Sequence, residues 1–499
     1  MKFNFFCNEF TELENWPHKL AISASDVDLN WDELKNKVEQ LSELFNKIGI
    51  PKGHPILIYG HKEHFFPVSI LACFSSGITY VPIDVIYPPQ RIEKIIEQTG
   101  SQMAINCTQL PLPFSIPISI NSELIVKENA SPQFENNIYH IKNELLQYIM
   151  FTSGSTGEPK GVQITRNNII SFVNWATSDF GFHQNDVFLN QAPFSFDVSL
   201  CDVINAFSVG GSLVLTSHDV AKNQEDFINR LTKYRCTVWT STPSFIFIFL
   251  RNVSFVKDQI PSLKKFLFMG EELPNITCKK LKALFPECSI YNAYGPTEAT
   301  IVTTFIEITD DVIEKYTTLP IGYCRPNAEL FIDFNSADEK EGELIINGPH
   351  VSAGYFKNES LNNLKFFTHN KHQSFKTGDL SYQTEGLFFF LGRNDDQVKL
   401  HGFRIEINEI NHVISTHYLI NDAVTIPLKR NAEVKKIISF VILNQNVDNA
   451  INELTDFLKK KLPYYMIPSD IVVLDEFPYN ASHKVDKNKL ITFYTSKKD

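Results

Sequence analysis

Short apolar runs alternate with amphipathic segments along most of the chain. The runs are bounded by Gly, Pro or polar residues and are typical of buried parallel strands: Pro55 to Tyr59, Thr79 to Ile83, Ser212 to Thr216, Thr237 to Thr240 and Lys265 to Met269. Between Trp31 and Ile48, apolar residues recur at helical spacing behind Asn30, which predicts a helix capped by that asparagine. Alternation of strands and helices on this scale predicts an α/β fold.

The last part of the chain has a different pattern, which predicts a small α+β module. Helices are predicted over Glu409 to Tyr418 and Ile451 to Leu462, and strands over Ala423 to Pro427 and Ile437 to Leu443. The polar segment before it, 391–396, contains Gly392 and suits a hinge. We therefore expect a large domain over 1–394 and a small domain over 395–499, with the boundary near Asp395.

Composition excludes several classes of protein. The 499 residues are 43% hydrophobic and 21% charged, which predicts folded domains rather than sustained disorder. A net charge of -11 has the wrong sign for binding nucleic acid through bulk charge. The eight cysteines show no CxxC pair and no recurrent spacing with His, so neither a zinc site nor a disulfide framework is predicted.

The amino-terminal residues predict a cytoplasmic protein. Glu9, Glu12 and Glu14 stand where a secretory signal needs an apolar core. The most apolar run, Phe245 to Leu250, is far shorter than the ~20 residues that span a bilayer. We expect no association with a membrane.

One segment, 151–161, has the composition of a loop that wraps a polyphosphate. It combines three glycines, four hydroxyl residues and a lysine, and its predicted phosphate-binding residues are Thr152, Ser153, Gly154, Ser155, Thr156, Gly157 and Lys160. Glycines let backbone N–H groups approach phosphate oxygens, and hydroxyls and the ammonium add donors. It is not a Walker loop, because no Gly-Lys pair is followed by Ser or Thr at the required spacing. A flexible surface turn is the alternative.

Further motifs follow this loop in order, and together they resemble the adenylate-forming enzymes, which include acyl-CoA synthetases, firefly luciferase and peptide-synthetase adenylation domains. The matching segments are 77–84, 151–161, 196–199, 292–298, 342–344 with 354–355, 376–380, 392–393 with 397–399, and 462–468. The resemblance implies a large α/β domain with a small mobile domain, and ATP and Mg²⁺ as cofactors. Within the family, segments such as 239–245, 266–271 and 319–324 are similar to the stand-alone D-alanine:D-alanyl carrier protein ligases.

The resemblance assigns a nucleotide site. Its adenine and magnesium motif is Asn292, Ala293, Tyr294, Gly295, Pro296, Thr297 and Glu298. Glu298 is the candidate catalytic magnesium ligand, since Mg²⁺ commonly takes one or two carboxylates and otherwise phosphate oxygens and water. Asp379 has acceptor oxygens for both ribose hydroxyls. Arg393 and Phe390 are also predicted to bind the nucleotide. Read singly, Glu298 would be a helix-capping or surface acid, and the others solvated loop residues.

Lys484 is the candidate catalytic lysine by the same resemblance, and it is also counted with the nucleotide-binding residues. Family members carry Asn-Gly-Lys here, whereas this chain has Ser482 and His483 before the lysine. His adopts a positive φ less readily than Gly, so the turn is altered. The alternative is one more lysine in a lysine-rich tail.

Asp197 predicts an amino acid as substrate. An acid inside the apolar stretch 194–204 is costly to bury unless it pairs with a cation, which a substrate ammonium supplies. The alternative is an acid that caps the next helix. Met269 and Ile301 match positions that line the side-chain pocket in the family, and Met269 replaces the cysteine common in D-alanine ligases. Glycine, D-alanine and other small amino acids remain open.

The predicted reaction is AMP-forming activation of a small amino acid, most simply D-alanine, followed by transfer to a thiol. We find no phosphopantetheine-attachment domain in the sequence, so the acceptor is expected in trans: the phosphopantetheine of a separate carrier protein, or coenzyme A. Asp395 is where the family resemblance puts the pivot of the small domain. An acyl- or aryl-CoA synthetase, which has no use for Asp197, and a non-catalytic adenylate-binding protein are the alternatives.

Overall fold

The structure is a computed structural model that describes residues 3–5, 8–10, 18–131, 134, 140–141, 144–154, 158–334, 340–430, 433–445, 447, 449–478 and 485–496, with the backbone alone for 3–5, 8–10, 140–141, 430 and 433. The chain divides into two compact units. The first comprises 1–85, 97–151 and 161–394. The second comprises 395–499 together with two short segments from earlier in the chain, 86–96 and 152–160. The prediction that Asp395 is a hinge remains a prediction.

Strands and helices are numbered in chain order. The strands are β1 Phe3–Phe5, β2 Asn8–Phe10, β3 Leu20–Ser23, β4 Asp28–Asn30, β5 Pro55–Gly60, β6 Thr79–Asp84, β7 Met103–Asn106, β8 Ile118–Asn121, β9 Val126–Glu128, β10 His140–Ile141, β11 Glu144–Thr152, β12 Lys160–Thr165, β13 Val187–Asn190, β14 Ser212–Leu215, β15 Val238–Ser241, β16 Lys265–Phe268, β17 Ser289–Tyr294, β18 Thr304–Glu307, β19 Tyr323–Cys324, β20 Glu329–Asp333, β21 Gly342–Asn347, β22 Phe366–His369, β23 His372–Thr384, β24 Leu387–Arg393, β25 Gln397–Leu400, β26 Phe403–Glu406, β27 Ile420–Arg430, β28 Glu433–Leu443 and β29 Asp470–Val473. The α-helices are α1 Trp31–Ile48, α2 Phe65–Ser76, α3 Pro89–Thr99, α4 Arg166–Asp179, α5 Asp197–Ser208, α6 His218–Lys222, α7 Gln224–Lys233, α8 Pro243–Phe247, α9 Asn275–Leu284, α10 Asp310–Lys315, α11 Glu359–Lys365, α12 Ile407–Ser415, α13 Ala450–Lys461 and α14 Lys487–Ser496.

Two large, mainly parallel sheets form the first unit. Among the described residues, one has the strand order β19-β18-β17-β16-β15-β13-β14-β3-β4, and the other β10-β11-β6-β5-β7-β8-β9 with β12 beside β11. The predicted apolar runs form β5, β6, β14, β15 and β16, which pair in parallel and are almost entirely buried. An antiparallel sheet of β20 to β24 completes this unit. The predicted α/β class is confirmed.

Helix α1 begins and ends where the sequence predicts. The Asn30 side chain accepts the Glu33 N–H at 2.9 Å, and the Glu33 carboxylate accepts the Asn30 N–H at 2.8 Å, which is a capping box. Gly49 ends the helix with φ 77°, a conformation that glycine adopts without strain.

The second unit contains the predicted α+β module. Strands β27, β28 and β29 form a sheet, and α12, α13 and α14 accompany it. Helix α12 ends at Ser415, three residues before the predicted end, and the Thr416 hydroxyl donates to the Val413 carbonyl at 2.7 Å there. The hairpin β25–β26 turns through His401 and Gly402, both with positive φ, as a two-residue hairpin requires.

Aromatic residues fill much of the apolar interior. In the first unit, Trp239 packs against several phenylalanines that are fully buried: Phe227, Phe249, Phe255 and Phe266. Of the helices within the described residues, none is both long enough and apolar enough to cross a membrane.

Candidate active site

The predicted phosphate loop begins where β11 ends. The Gly154 N–H donates to the Glu409 Oε2 atom at 3.0 Å, and the Ser153 hydroxyl donates to the Arg404 carbonyl at 3.0 Å. A Cβ atom at Gly154 would lie 1.8 Å from the Glu158 carbonyl oxygen, so a side chain cannot be accommodated without moving the backbone. Ser155, Thr156 and Gly157 lie outside the described residues.

Within the second unit, the carboxylates of Glu406 and Glu409 accept from this loop. Lys160 pairs with Glu406 at 3.1 Å, and Arg91 pairs with Glu409 at 2.7 Å. The side chains of Arg91 and Glu409 are only 3% and 2% exposed, so this pair is shielded from water. Gly154 and Lys160 thus donate to carboxylate oxygens, and Ser153 donates to a carbonyl oxygen. Donors of this kind are what a triphosphate needs.

The predicted adenosine residues meet around one carboxylate in the first unit. Asp379 lies on β23 and is 3% exposed. The Tyr294 hydroxyl donates to its Oδ2 atom at 2.5 Å, and Arg393 donates to its Oδ1 atom and, at 3.1 Å, to the Thr377 carbonyl. Burial, and then the neighbouring Asp379, hold the pKa of Tyr294 well above its ordinary value, so the phenol keeps its proton and remains a donor.

The other residues predicted to bind the nucleotide make contacts of their own. Asn292 and Ala293 are at the end of β17, and the Asn292 amide donates to the Pro320 carbonyl at 2.8 Å. Pro296 precedes a short 3₁₀-helix, Thr297–Ala299, in which Thr297 is buried. Phe390 is half-buried on β24, opposite Ser381 of β23.

Strained backbone follows this motif. Thr300 and Ile301 have φ of 50° and 71°, which is costly for β-branched residues. A Cβ atom at Gly295 would lie 2.6 Å from the Ile301 carbonyl oxygen, so Gly295 permits the close approach that holds this turn. Strain of this kind occurs where a site demands a particular backbone direction.

Glu298 is fully buried in that turn. The Tyr355 hydroxyl, 1% exposed, donates to its Oε1 atom at 2.7 Å. Neither a helix cap nor a surface acid describes this residue. A carboxylate has four lone-pair positions, so a glutamate can accept a hydrogen bond and also ligate a hard cation such as Mg²⁺, and one carboxylate suffices when phosphates supply other ligands. The described residues hold no cluster of three or more His, Cys, Asp or Glu side chains able to bind a metal alone.

The predicted substrate residues lie at the carboxyl ends of strands in the nine-stranded sheet or just after them. Asp197 is the first residue of α5, which follows β13, and Phe196 is at the N-cap position instead. Met269 follows β16 and is 2% exposed, and Ile301 is 3% exposed. The carboxyl ends of parallel strands are where open α/β sheets bind ligands. Asp197 is half-buried and is not the helix cap that the alternative required.

Two predicted residues are not tested by these contacts. Lys484 lies outside the described residues. Asp395 accepts the Gln397 N–H at 3.3 Å, which shows a turn there and does not test a hinge.

Some residues near the candidate site were not predicted, among them Tyr355 and Lys62. Tyr355 stands in the family segment 354–355, yet only the structure reveals its bond to Glu298. Lys62 is buried with its ammonium bonded to Asn190 and Ala192. Its only sequence signal is a charged residue in front of a strongly apolar helix, α2.

Family models match both parts of the chain. Residues 10–356 match the AMP-binding enzyme model, and residues 409–484 match the model of the AMP-binding enzyme C-terminal domain.

The chain belongs to the AMP-binding enzymes.

Curated relatives extend this likeness over nearly the full length. The D-alanine--D-alanyl carrier protein ligase of Bacillus cytotoxicus is 35% identical over 97% of this chain and 99% of its own. The Bacillus licheniformis protein of the same name is 37% identical, over 95% and 96%. This AMP-binding enzyme is therefore an AMP-forming ligase, and the predicted family is confirmed.

Solved structures share the fold of this AMP-binding enzyme. The Vibrio cholerae adenylation domain AlmE, solved with glycyl-adenosine-5'-phosphate, has a TM-score of 0.80 at 19% identity, covering 97% of this chain and 96% of its own. PA1221, a peptide-synthetase protein with adenylation and carrier domains, has a TM-score of 0.78 at 22% identity, covering 96% and 82%. At these identities the likeness supports the fold alone.

Proposed function

We propose that this AMP-binding enzyme activates a small amino acid, with D-alanine as the leading substrate, and transfers it to the phosphopantetheine thiol of a separate carrier protein. The observation that carries the proposal is the likeness, over nearly the whole chain, to ligases named for D-alanine and a D-alanyl carrier protein. Asp197, in the first turn of α5 at the carboxyl ends of the strands, adds a side chain suited to an ammonium group.

The first half-reaction joins the substrate carboxylate to the α-phosphate of ATP and releases pyrophosphate. We assign phosphate binding to the donors of Ser153, Gly154 and Lys160. Tyr294 and Asp379 are assigned to adenosine, with Asp379 as acceptor for the ribose hydroxyls and Arg393 holding its carboxylate in place.

Glu298 is the proposed ligand for Mg²⁺, and the Tyr355 hydroxyl fixes its orientation. When bound, Mg²⁺ neutralises charge on the phosphates. Lys484 is the proposed cation for the negative charge shared by the attacking carboxylate and the α-phosphate.

In the second half-reaction the carrier thiolate attacks the aminoacyl carbonyl and AMP leaves. The proposal names a carrier protein rather than coenzyme A because the curated relatives carry that partner in their names. We also propose that the segment 395–499 moves between the two half-reactions, with Asp395 as the pivot.

Pyrophosphate exchange into ATP tests the first half-reaction directly. The panel contains the twenty amino acids, their D-forms, and fatty and aromatic acids, each with wild type and with Asp197→Ala. We expect exchange with small amino acids, led by D-alanine, and near-complete loss in the variant, because a desolvated ammonium would lose its partner. Exchange with fatty or aromatic acids alone would assign an acyl- or aryl-CoA synthetase. Activity of Asp197→Ala equal to wild type would remove the amino-acid assignment.

A further inference from the structure

Lys62 is a buried cation in the first unit, between β5 and α2, and is only 1% exposed. Its Nζ atom lies 2.5 Å from the Asn190 Oδ1 atom and 2.5 Å from the Ala192 carbonyl oxygen. The same atom lies 4.2 Å from the centre of the Phe194 ring, which is within the range of a cation–π contact. One ammonium thus contacts the last residue of β13 and two residues of the turn between β13 and α5.

Asn190 extends these contacts to α5. Its Nδ2 atom donates to the Ser199 carbonyl at 2.9 Å and to the Asp202 Oδ2 atom at 3.1 Å. Lys62 and Asn190 together therefore hold both the start of the turn and the first turns of the helix. Asp197 is the first residue of that helix and lies between these anchor points.

The network is expensive to bury. Asp202 is 2% exposed, and burial raises its pKa to about 7, whereas burial lowers the pKa of Lys62 to about 7. Apolar side chains of similar size commonly pack at lower cost than a buried charged pair. An apolar residue at position 62 would lack a donor, so it could not hold the Asn190 amide and the Ala192 carbonyl at once.

We propose that Lys62 is a positioning residue for substrate recognition: its ammonium fixes the 191–196 turn so that Asp197 is held where the amino group of the substrate binds. This inference rests on the proposed function, because it assumes that Asp197 meets an ammonium. It adds a specificity-determining residue that never touches the substrate.

Lys19 offers a matched control at the opposite end of the same elements. Its ammonium donates to the Gly210 carbonyl at 2.6 Å, beyond the end of α5, and to the Gln184 carbonyl ahead of β13. Burial lowers its pKa to about 8. Lys19→Met removes a partly buried ammonium that also bonds backbone carbonyls, and it leaves the 191–196 turn untouched.

The first test compares Lys62→Met with Lys19→Met in pyrophosphate exchange. We expect KM for the amino acid to rise roughly tenfold or more in Lys62→Met, with KM for ATP and kcat within about threefold of wild type, because a displaced binding group weakens one substrate selectively. Lys19→Met should keep wild-type KM for both substrates. Equal losses for amino acid and ATP, or equal effects of the two substitutions, would overturn the proposal.

The second test does not depend on the substrate. Hydrogen exchange of the Phe196 and Ser199 amides, which donate to the Pro193 and Phe196 carbonyls within this turn, reports on its order. We expect exchange at these amides to be at least several-fold faster in Lys62→Met than in wild type or Lys19→Met. Unchanged exchange would refute the positioning role, whereas a wild type inactive with every amino acid would refute the proposed function.

If Lys62→Met does not fold, the double variant Lys62→Met/Asp202→Asn replaces it in both tests. It removes the buried Asp202 carboxylate together with the ammonium that acts on it. The same two outcomes, a selective rise in KM for the amino acid and faster exchange in the turn, are expected from it, and their absence overturns the proposal in the same way.

Discussion

The backbone N–H of Gly154 donates to the carboxylate of Glu409, at 3.0 Å, across 255 residues of sequence. Arg91 holds the other oxygen of that carboxylate at 2.7 Å. The Glu409 carboxylate thus accepts from the glycine N–H of the predicted phosphate loop in the way that a phosphate oxygen would. If Gly154 binds nucleotide phosphate as proposed, Glu409 competes with that phosphate for the same donor.

Glu409→Gln should therefore lower KM for ATP. The amide keeps the shape of the carboxylate but loses the charge that strengthens the bond to Gly154, a difference of about 1 kcal/mol, or several-fold in KM. Initial rates of pyrophosphate exchange at varied ATP measure this. Glu453→Gln, on the exposed face of α13, is the surface control and should leave KM for ATP unchanged. An unchanged or increased KM for ATP in Glu409→Gln would refute the competition.

Lys484→Ala should separate the two half-reactions. If the ammonium stabilises charge on the reacting carboxylate and α-phosphate, adenylation should fall by roughly 10²-fold or more. Transfer from a preformed aminoacyl adenylate forms no phosphoryl bond and should fall far less. Pyrophosphate exchange and single-turnover thioester formation measure the two steps. Equal losses in both would remove Lys484 from the adenylation step.

Met269→Cys should widen the range of amino acids that are activated. Met269 is 2% exposed beside the carboxyl end of β16, so a shorter side chain opens volume there. The substitution removes two side-chain carbons, and each methylene in a hydrophobic pocket is worth ~1 to 3 kcal/mol, so activity on larger amino acids relative to glycine should rise tens-fold or more. The measurement is kcat/KM across the amino-acid panel. A profile equal to that of wild type would place Met269 away from the pocket.

Asp202→Asn should change how stability depends on pH. Burial raises the pKa of Asp202 to about 7, so the folded state holds this proton between about pH 4 and 7 while the unfolded state releases it. Its contribution to the free energy of unfolding therefore falls as pH rises through that window. Urea denaturation should show wild type losing more than about 1 kcal/mol relative to Asp202→Asn between pH 4 and 7. Parallel pH profiles for the two proteins would show that Asp202 keeps an ordinary pKa.

Asp395→Pro should uncouple adenylation from thiol transfer. Proline fixes φ near -65° and restricts rotation about this residue. We expect adenylate to form at close to the wild-type rate while thioester formation on a carrier protein fails, as followed by pyrophosphate exchange and by mass spectrometry of the carrier. Asp395→Ala, which removes the side chain without fixing φ, is the control and should keep both steps. A variant normal in both steps would put the pivot elsewhere.

Local patterns predicted much of the fold, because their causes are local. Helix α1 and its Asn30 cap follow from spacing and capping chemistry within a few residues. Strands β5 and β16 follow from short, mainly apolar runs. The end of α12 was misjudged because the bond that accompanies it, from Thr416 to Val413, is not visible in hydrophobic spacing.

The sequence predicted site residues that lie within a single motif, but it did not predict which of them bond to each other. Tyr294 and Asp379 were selected separately, and their 2.5 Å bond joins residues 85 positions apart. The partners of the phosphate loop, Glu406 and Glu409, lie on β26 and α12 and were assigned no role, because long-range pairing leaves no periodic signal. Lys62 was missed for the same reason.

The composition of the second unit has a consequence for protein engineering. Because residues 86–96 and 152–160 belong with 395–499, a cut after Asn394 does not release a complete module. A fragment of 395–499, or a chimera that transplants it, would leave Glu409 with neither the Arg91 guanidinium nor the Gly154 N–H that it bonds in the intact chain. Exchange of this module between relatives therefore requires both earlier segments to come from the same parent.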